Sequence, residues 1–102
     1  MKTLYLAGRI SGDPDYKAKF RAAEEFVSGL GGYAVVNPAV LPERGFSYSA
    51  YIRMSMAMLY ECDIVCFLPD WHESIGAGLE YDMATVLGKE IIFYDDDLHN
   101  KP

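Results

Sequence analysis

Short apolar runs alternating with segments of helical periodicity constrain this chain more than any other feature. Residues 3–7 (Thr-Leu-Tyr-Leu-Ala) are apolar, end at Gly8 and predict a buried parallel-type strand. Asp13-Pro14 predicts a helix start, with a side-chain acceptor at the cap and a proline at the first helical position. Tyr16, Phe20, Ala23, Phe26, Val27 and Leu30 then recur at helical spacing until Gly31-Gly32 stops them. A β-branched and aromatic run at 33–36 predicts the second strand, ending at Asn37-Pro38. Residues 39–47 lack periodicity and predict a surface loop. A second helix is expected at about 49–61, a third strand at 63–68, a loop at 69–73, a third helix at about 75–87 and a fourth strand at 90–94.

Strands and helices in strict alternation, joined by short connections, imply a parallel sheet with right-handed crossovers and helices on its faces. The expected fold is a small Rossmann- or flavodoxin-like three-layer α/β domain, a four-stranded parallel sheet in the order 2-1-3-4 with three helices. A length of 102 residues suits one such domain and little more. The domain is expected at 1–95 and a polar, frayed tail at 96–102.

A net charge of -6 and a pI near 4.7 oppose a nucleic-acid polymer or an anionic membrane as partner, since either is repelled at long range. No stretch is long and apolar enough to span a bilayer, and residues 1–7 carry no basic leader, so a cytoplasmic protein is expected. Cys62 and Cys66 read as reduced, buried thiols, their spacing fits no zinc motif, and neither a metal nor an organic cofactor is expected.

Ligands of open parallel α/β sheets bind at the carboxyl ends of the strands, beside the reversal of strand order. That rule selects the loop Gly8-Arg9-Ile10-Ser11-Gly12, the loop from Asn37, and the segment 69–78. In the last, Gly76 and Gly78 permit close backbone approach, a helix N-terminus favours an anion, and Ser74 offers a hydroxyl that equally suits a helix cap. Trp71 either anchors its loop or stacks on a purine or pyrimidine. His72 reads as a solvated loop residue. Tyr5 reads as a core strand aromatic, and Glu80 as a surface glutamate or a carboxylate facing the sheet, where it would need a reason.

Together these residues resemble the nucleoside 2-deoxyribosyltransferase-like superfamily, which includes deoxynucleoside 5′-monophosphate N-glycosidases. The likeness runs from Leu4-Tyr5-Leu6-Ala7-Gly8-Arg9-Ile10-Ser11-Gly12 through Val36-Asn37-Pro38 and Cys62-Asp63-Ile64-Val65. It is strongest from Leu68 through Asp70, Trp71, Ser74, Gly76 and Gly78 to Glu80, followed by Leu87-Gly88-Lys89. The resemblance implies that Glu80 is a nucleophile toward the anomeric carbon, that Tyr5 orients it, and that Ser74 and the Gly8 loop contact a 5′-phosphate.

It also implies cleavage or transfer at the N-glycosidic bond of a 2′-deoxynucleoside or its 5′-monophosphate, in a homodimer or higher homo-oligomer. The alternative is a non-catalytic nucleotide-binding or sensing module of the same fold. One departure favours that alternative. The superfamily's base-handling aspartate lies eight residues before the aspartate that opens strand three, and that position holds Ser55, which cannot act as a general acid near neutral pH. Asp70, His72 and Glu73 are the candidate substitutes, and Arg53 is a candidate phosphate or base contact. The methionine-rich face of the second helix reads as core by default, and its excess width in so small a domain points to a contact between copies for part of it.

Overall fold

The computed structural model describes residues 1–99 and shows one four-stranded, wholly parallel sheet in the order β2-β1-β3-β4. Its elements run β1 (Lys2–Ala7), α1 (Tyr16–Leu30), β2 (Tyr33–Val36), α2 (Tyr48–Glu61), β3 (Ile64–Phe67), α3 (Ile75–Val86) and β4 (Glu90–Phe93). The α/β fold, strand order and helix count match the expectation from sequence. β1 pairs with β2 on one side and β3 on the other, so both inner strands are buried on both faces.

Alternation along β1 divides the core into two layers. Leu4 and Leu6 face α1 with Phe20, Ala23, Val27, Ile64 and Cys66. Tyr5 and Ala7 face the other way, with Leu59 of α2, Val65 and Phe67 of β3 and Ala84 of α3. The period of two that makes a strand thus commits Tyr5 to the layer beneath α3.

Three boundaries differ from the sequence reading. α1 begins at Tyr16 rather than at Asp13-Pro14, because the Asp13 side chain accepts the Asp15 N–H at 2.9 Å and closes a turn just before the helix. Its end is as expected, with Gly31 and Gly32 at φ of 78° and 85°. Residues 39–47 are not wholly irregular, since Pro38–Val40 forms a 3₁₀ turn capped by the Asn37 side chain. The expected frayed tail is ordered in part: Tyr94–His99 winds into a π-helical turn, with Leu98 packed against the α1-side core and His99 stacked on Phe26 at 4.0 Å. Residues 100–102 lie outside the described part of the chain. Cys62 and Cys66 are buried free thiols, and burial pushes the Cys66 thiol up to about 12.

Apolar surface is exposed on α3 as well as on the helix expected to carry it. Met54, Met56 and Met58 of α2 are half-buried, whereas Ile75, Leu79, Met83 and Val86 of α3 are exposed at 81%, 45%, 38% and 81%. Their spacing places them on one stripe of α3, opposite the stripe that meets the sheet.

Candidate active site

At the carboxyl ends of β1 and β3, where the strand order reverses, the structure opens a cleft of about 960 Å³. Tyr5 and Glu80 lie at its base. Glu80 belongs to the inward stripe of α3, between the small Ala77 and Ala84, which let the helix approach the sheet and leave room for a carboxylate. It is only 7% exposed and is the one buried charged side chain among the described residues. The Tyr5 hydroxyl donates a hydrogen bond to Glu80 Oε2.

Burial raises the Glu80 carboxyl from the ordinary glutamate range to about 7, and the bond from Tyr5 opposes that rise. Tyr5 is itself held well above the usual phenol range, first by burial and then by the Glu80 charge, while the neighbouring Ser55 hydroxyl pulls it down. Ser55 therefore stands beside the Tyr5–Glu80 pair, and it too lines the cleft. A carboxylate poised near neutrality and fixed by a buried phenol is equipped for nucleophilic or proton-transfer chemistry.

Two loops form the walls. Ile10, Ser11 and Gly12 follow β1, and Ser74 with Gly76 opens α3. The Ser74 side chain accepts the Ala77 N–H at 3.1 Å, so it caps α3 while it lines the cleft. The loops are tied through Asp70, which accepts the Arg9 N–H at 3.1 Å and pairs with Lys19. Lys19 also meets Asp13 at 2.7 Å and donates to the Arg9 carbonyl at 2.7 Å.

Several expected site residues stand elsewhere. Asp70 and Arg9 belong to that tie, with the Arg9 guanidinium donating to the Ser11 and Gly12 carbonyls at 3.3 and 3.5 Å. Gly8 sits behind it, where a Cβ would meet Leu68 Cβ at 3.0 Å. Asn37 donates to Glu24 at 2.9 Å as well as capping its turn, and Arg53 is exposed and reaches only the Ser49 hydroxyl, at 3.4 Å. Gly78 is absent from the cleft lining.

Trp71 corrects the expectation of a stacking platform for a base. Tyr81 stacks on it at 4.9 Å, His72 lies against it at 3.9 Å, and Phe67 and Phe93 pack around it, away from the cleft. His72 and Trp71 border a separate hollow of about 410 Å³ near β4. Of Asp70, His72 and Glu73, only Glu73 lines the main cleft.

Sequence reasoning missed the far wall. Tyr48, Tyr51 and Ile52 at the start of α2, Tyr16 of α1, and residues 41–44 all face the cleft. The 41–47 loop is strapped down by the Tyr51 hydroxyl bonded to the Pro42 carbonyl, by Phe46 edge-on to Tyr51 at 5.6 Å, and by Lys17 on the Leu41 carbonyl at 3.5 Å. The density of tyrosine at 48–51 was the available signal.

A family model described as a domain of unknown function, DUF4406, matches residues 2–93. The chain belongs to the DUF4406 family. A solved structure described as a 2-desoxiribosyltransferase from Leishmania mexicana superposes on the DUF4406 chain with a TM-score of 0.71 at 18% identity. That likeness covers 91% of the DUF4406 chain and 63% of the transferase, and it establishes a shared fold. The shared fold is the one that the resemblance in the sequence implies. Comparison with curated proteins gives no match.

The described residues contain no group of three or more His, Cys, Asp or Glu able to hold a metal ion, and no helix among them is long and apolar enough to cross a membrane.

Proposed function

We propose that the protein is a cytoplasmic enzyme that cleaves or transfers at the N-glycosidic bond of a 2′-deoxynucleoside or its 5′-monophosphate, with Glu80 as nucleophile. The observation that carries the reading is a buried glutamate bonded to a buried tyrosine at the base of a large cleft, at the switch point of a deoxyribosyltransferase fold. In the first step a Glu80 oxygen bonds to C1′ as the bond from C1′ to the base nitrogen breaks. The base leaves with that electron pair and takes up a proton. In the second step water, or a second base, attacks C1′, loses a proton and releases the Glu80 carboxylate. Carboxylate charge beside C1′ stabilises the oxocarbenium-like transition state in both steps. The Tyr5 hydroxyl holds the attacking oxygen in line. Ser11, Gly12 and Ser74 contact the 5′ end of the sugar, and the tyrosines of the far wall receive the base.

The exposed stripe of α3 is the surface over which two copies would associate. Ser55 favours a second reading, because it supplies no proton to the leaving base, and a protein that binds the nucleoside without turnover has the same cleft. Chromatographic assay of free base after incubation with each common deoxynucleoside and 5′-monophosphate separates the two. Release by the wild type and not by Glu80→Ala supports the enzyme. Tight binding with no release supports the binding module.

A further inference from the structure

The two segments that meet the 5′ end of a bound nucleoside each carry a carboxylate next in sequence: Asp13 follows Gly12, and Glu73 precedes Ser74, and both acids line the cleft. Glu43 on the far wall adds a third. A 5′-phosphate carries close to two negative charges near neutral pH and needs committed donors or cations to offset that charge.

The basic side chains near this end are already engaged. Lys19 is held by Asp13, Asp70 and the Arg9 carbonyl. Arg9 donates to the carbonyls of Ser11 and Gly12, and Lys17 to those of Ala39 and Leu41. Arg44 is the one basic side chain that lines the cleft among the described residues, and it is next in sequence to Glu43. The Ser74 hydroxyl accepts the Ala77 N–H of the α3 cap and keeps one O–H to donate and one lone pair to accept, and a 5′-hydroxyl can use both whereas a phosphate dianion has no proton to give. The whole chain adds a net charge of -6, which repels anions at long range.

We propose that this cleft selects a deoxynucleoside with an uncharged 5′ end and discriminates against the 5′-monophosphate: Asp13 is neutralised by Lys19, and the walls set Glu43 and Glu73 against a single guanidinium, Arg44. The proposal rests on the glycosyl-transfer reading of the site and decides between the two substrate classes that reading leaves open.

The test is calorimetric titration of Glu80→Gln, which cannot turn substrate over, with each deoxynucleoside and its 5′-monophosphate at low and high salt. The nucleoside is expected to bind about tenfold tighter than its monophosphate at low salt, with the ratio narrowing as salt screens the carboxylates. Glu73→Gln added to that background should shift the ratio several-fold, by roughly 3 to 5, toward the monophosphate. The ratio of kcat/KM for the two substrates with the wild-type protein gives the same comparison should Glu80→Gln fail to fold.

Equal or tighter binding of the monophosphate, lost in Arg44→Ala, would overturn the selectivity and leave the glycosyl-transfer reading intact. Nucleoside-selective binding with no base released by the wild type would do the reverse. Failure of both ligands to bind would sink both.

Discussion

Glu80 differs from an ordinary helix glutamate in one respect, its burial, and that produces both a reactive group and a local instability. In its proposed role as nucleophile it acts ionised, so base release should rise with pH through about 7 and level off above it. Tyr5→Phe removes the one donor that counters the upward shift. The rising limb of the pH–rate profile is then expected to move to higher pH, with kcat reduced about 10- to 100-fold. Stability has the opposite slope. The folded carboxyl holds its proton to higher pH than the unfolded one, so between about 4.5 and about 7 the native state binds more protons and becomes less stable as pH rises. Denaturant unfolding of the wild type across that window should show a fall of up to roughly 3 kcal/mol, and Glu80→Gln should flatten it.

Among the elements, those whose signal is local were the ones legible in the sequence. Apolar runs closed by glycine or proline marked β1, β2 and β3, an apolar run between Gly88 and the acidic 95–97 marked β4, and alternation with helices set their order. The Tyr5–Glu80 pairing could be inferred only through family likeness, because no periodicity says that residues 75 apart in sequence will meet. The two readings of Trp71 stayed open because sequence shows a loop tryptophan without showing Tyr81, nearly two turns into α3, stacked against it. The start of α1 was misplaced because Asp13-Pro14 suits a turn as well as a cap, and the side-chain bond to Asp15 decided between them. Gly8 is the sharpest test at this scale. Its packing against Leu68 holds the first loop on β3, so Gly8→Ala is expected to destabilise the fold by about 1–3 kcal/mol in denaturant unfolding. Gly78→Ala, with open space around that position and helical backbone there, should be neutral or mildly stabilising.

At the scale of the whole molecule, the exposed stripe of α3 bears on assembly. Sedimentation should show a homodimer in the wild type, and Leu79→Lys with Met83→Lys should give monomer with an unchanged circular dichroism spectrum. A wild-type monomer would remove α3 as a contact between copies and leave the cleft as a single-chain site. The placement of Trp71 has an optical consequence. The only indole in the chain lies between Tyr81 and His72, outside the cleft, so its ultraviolet emission reports on whether α3 is docked against β3 and β4 and is blind to what occupies the site. A fluorescence signal that follows unfolding and ignores nucleoside lets folding and occupancy be read separately in one cuvette.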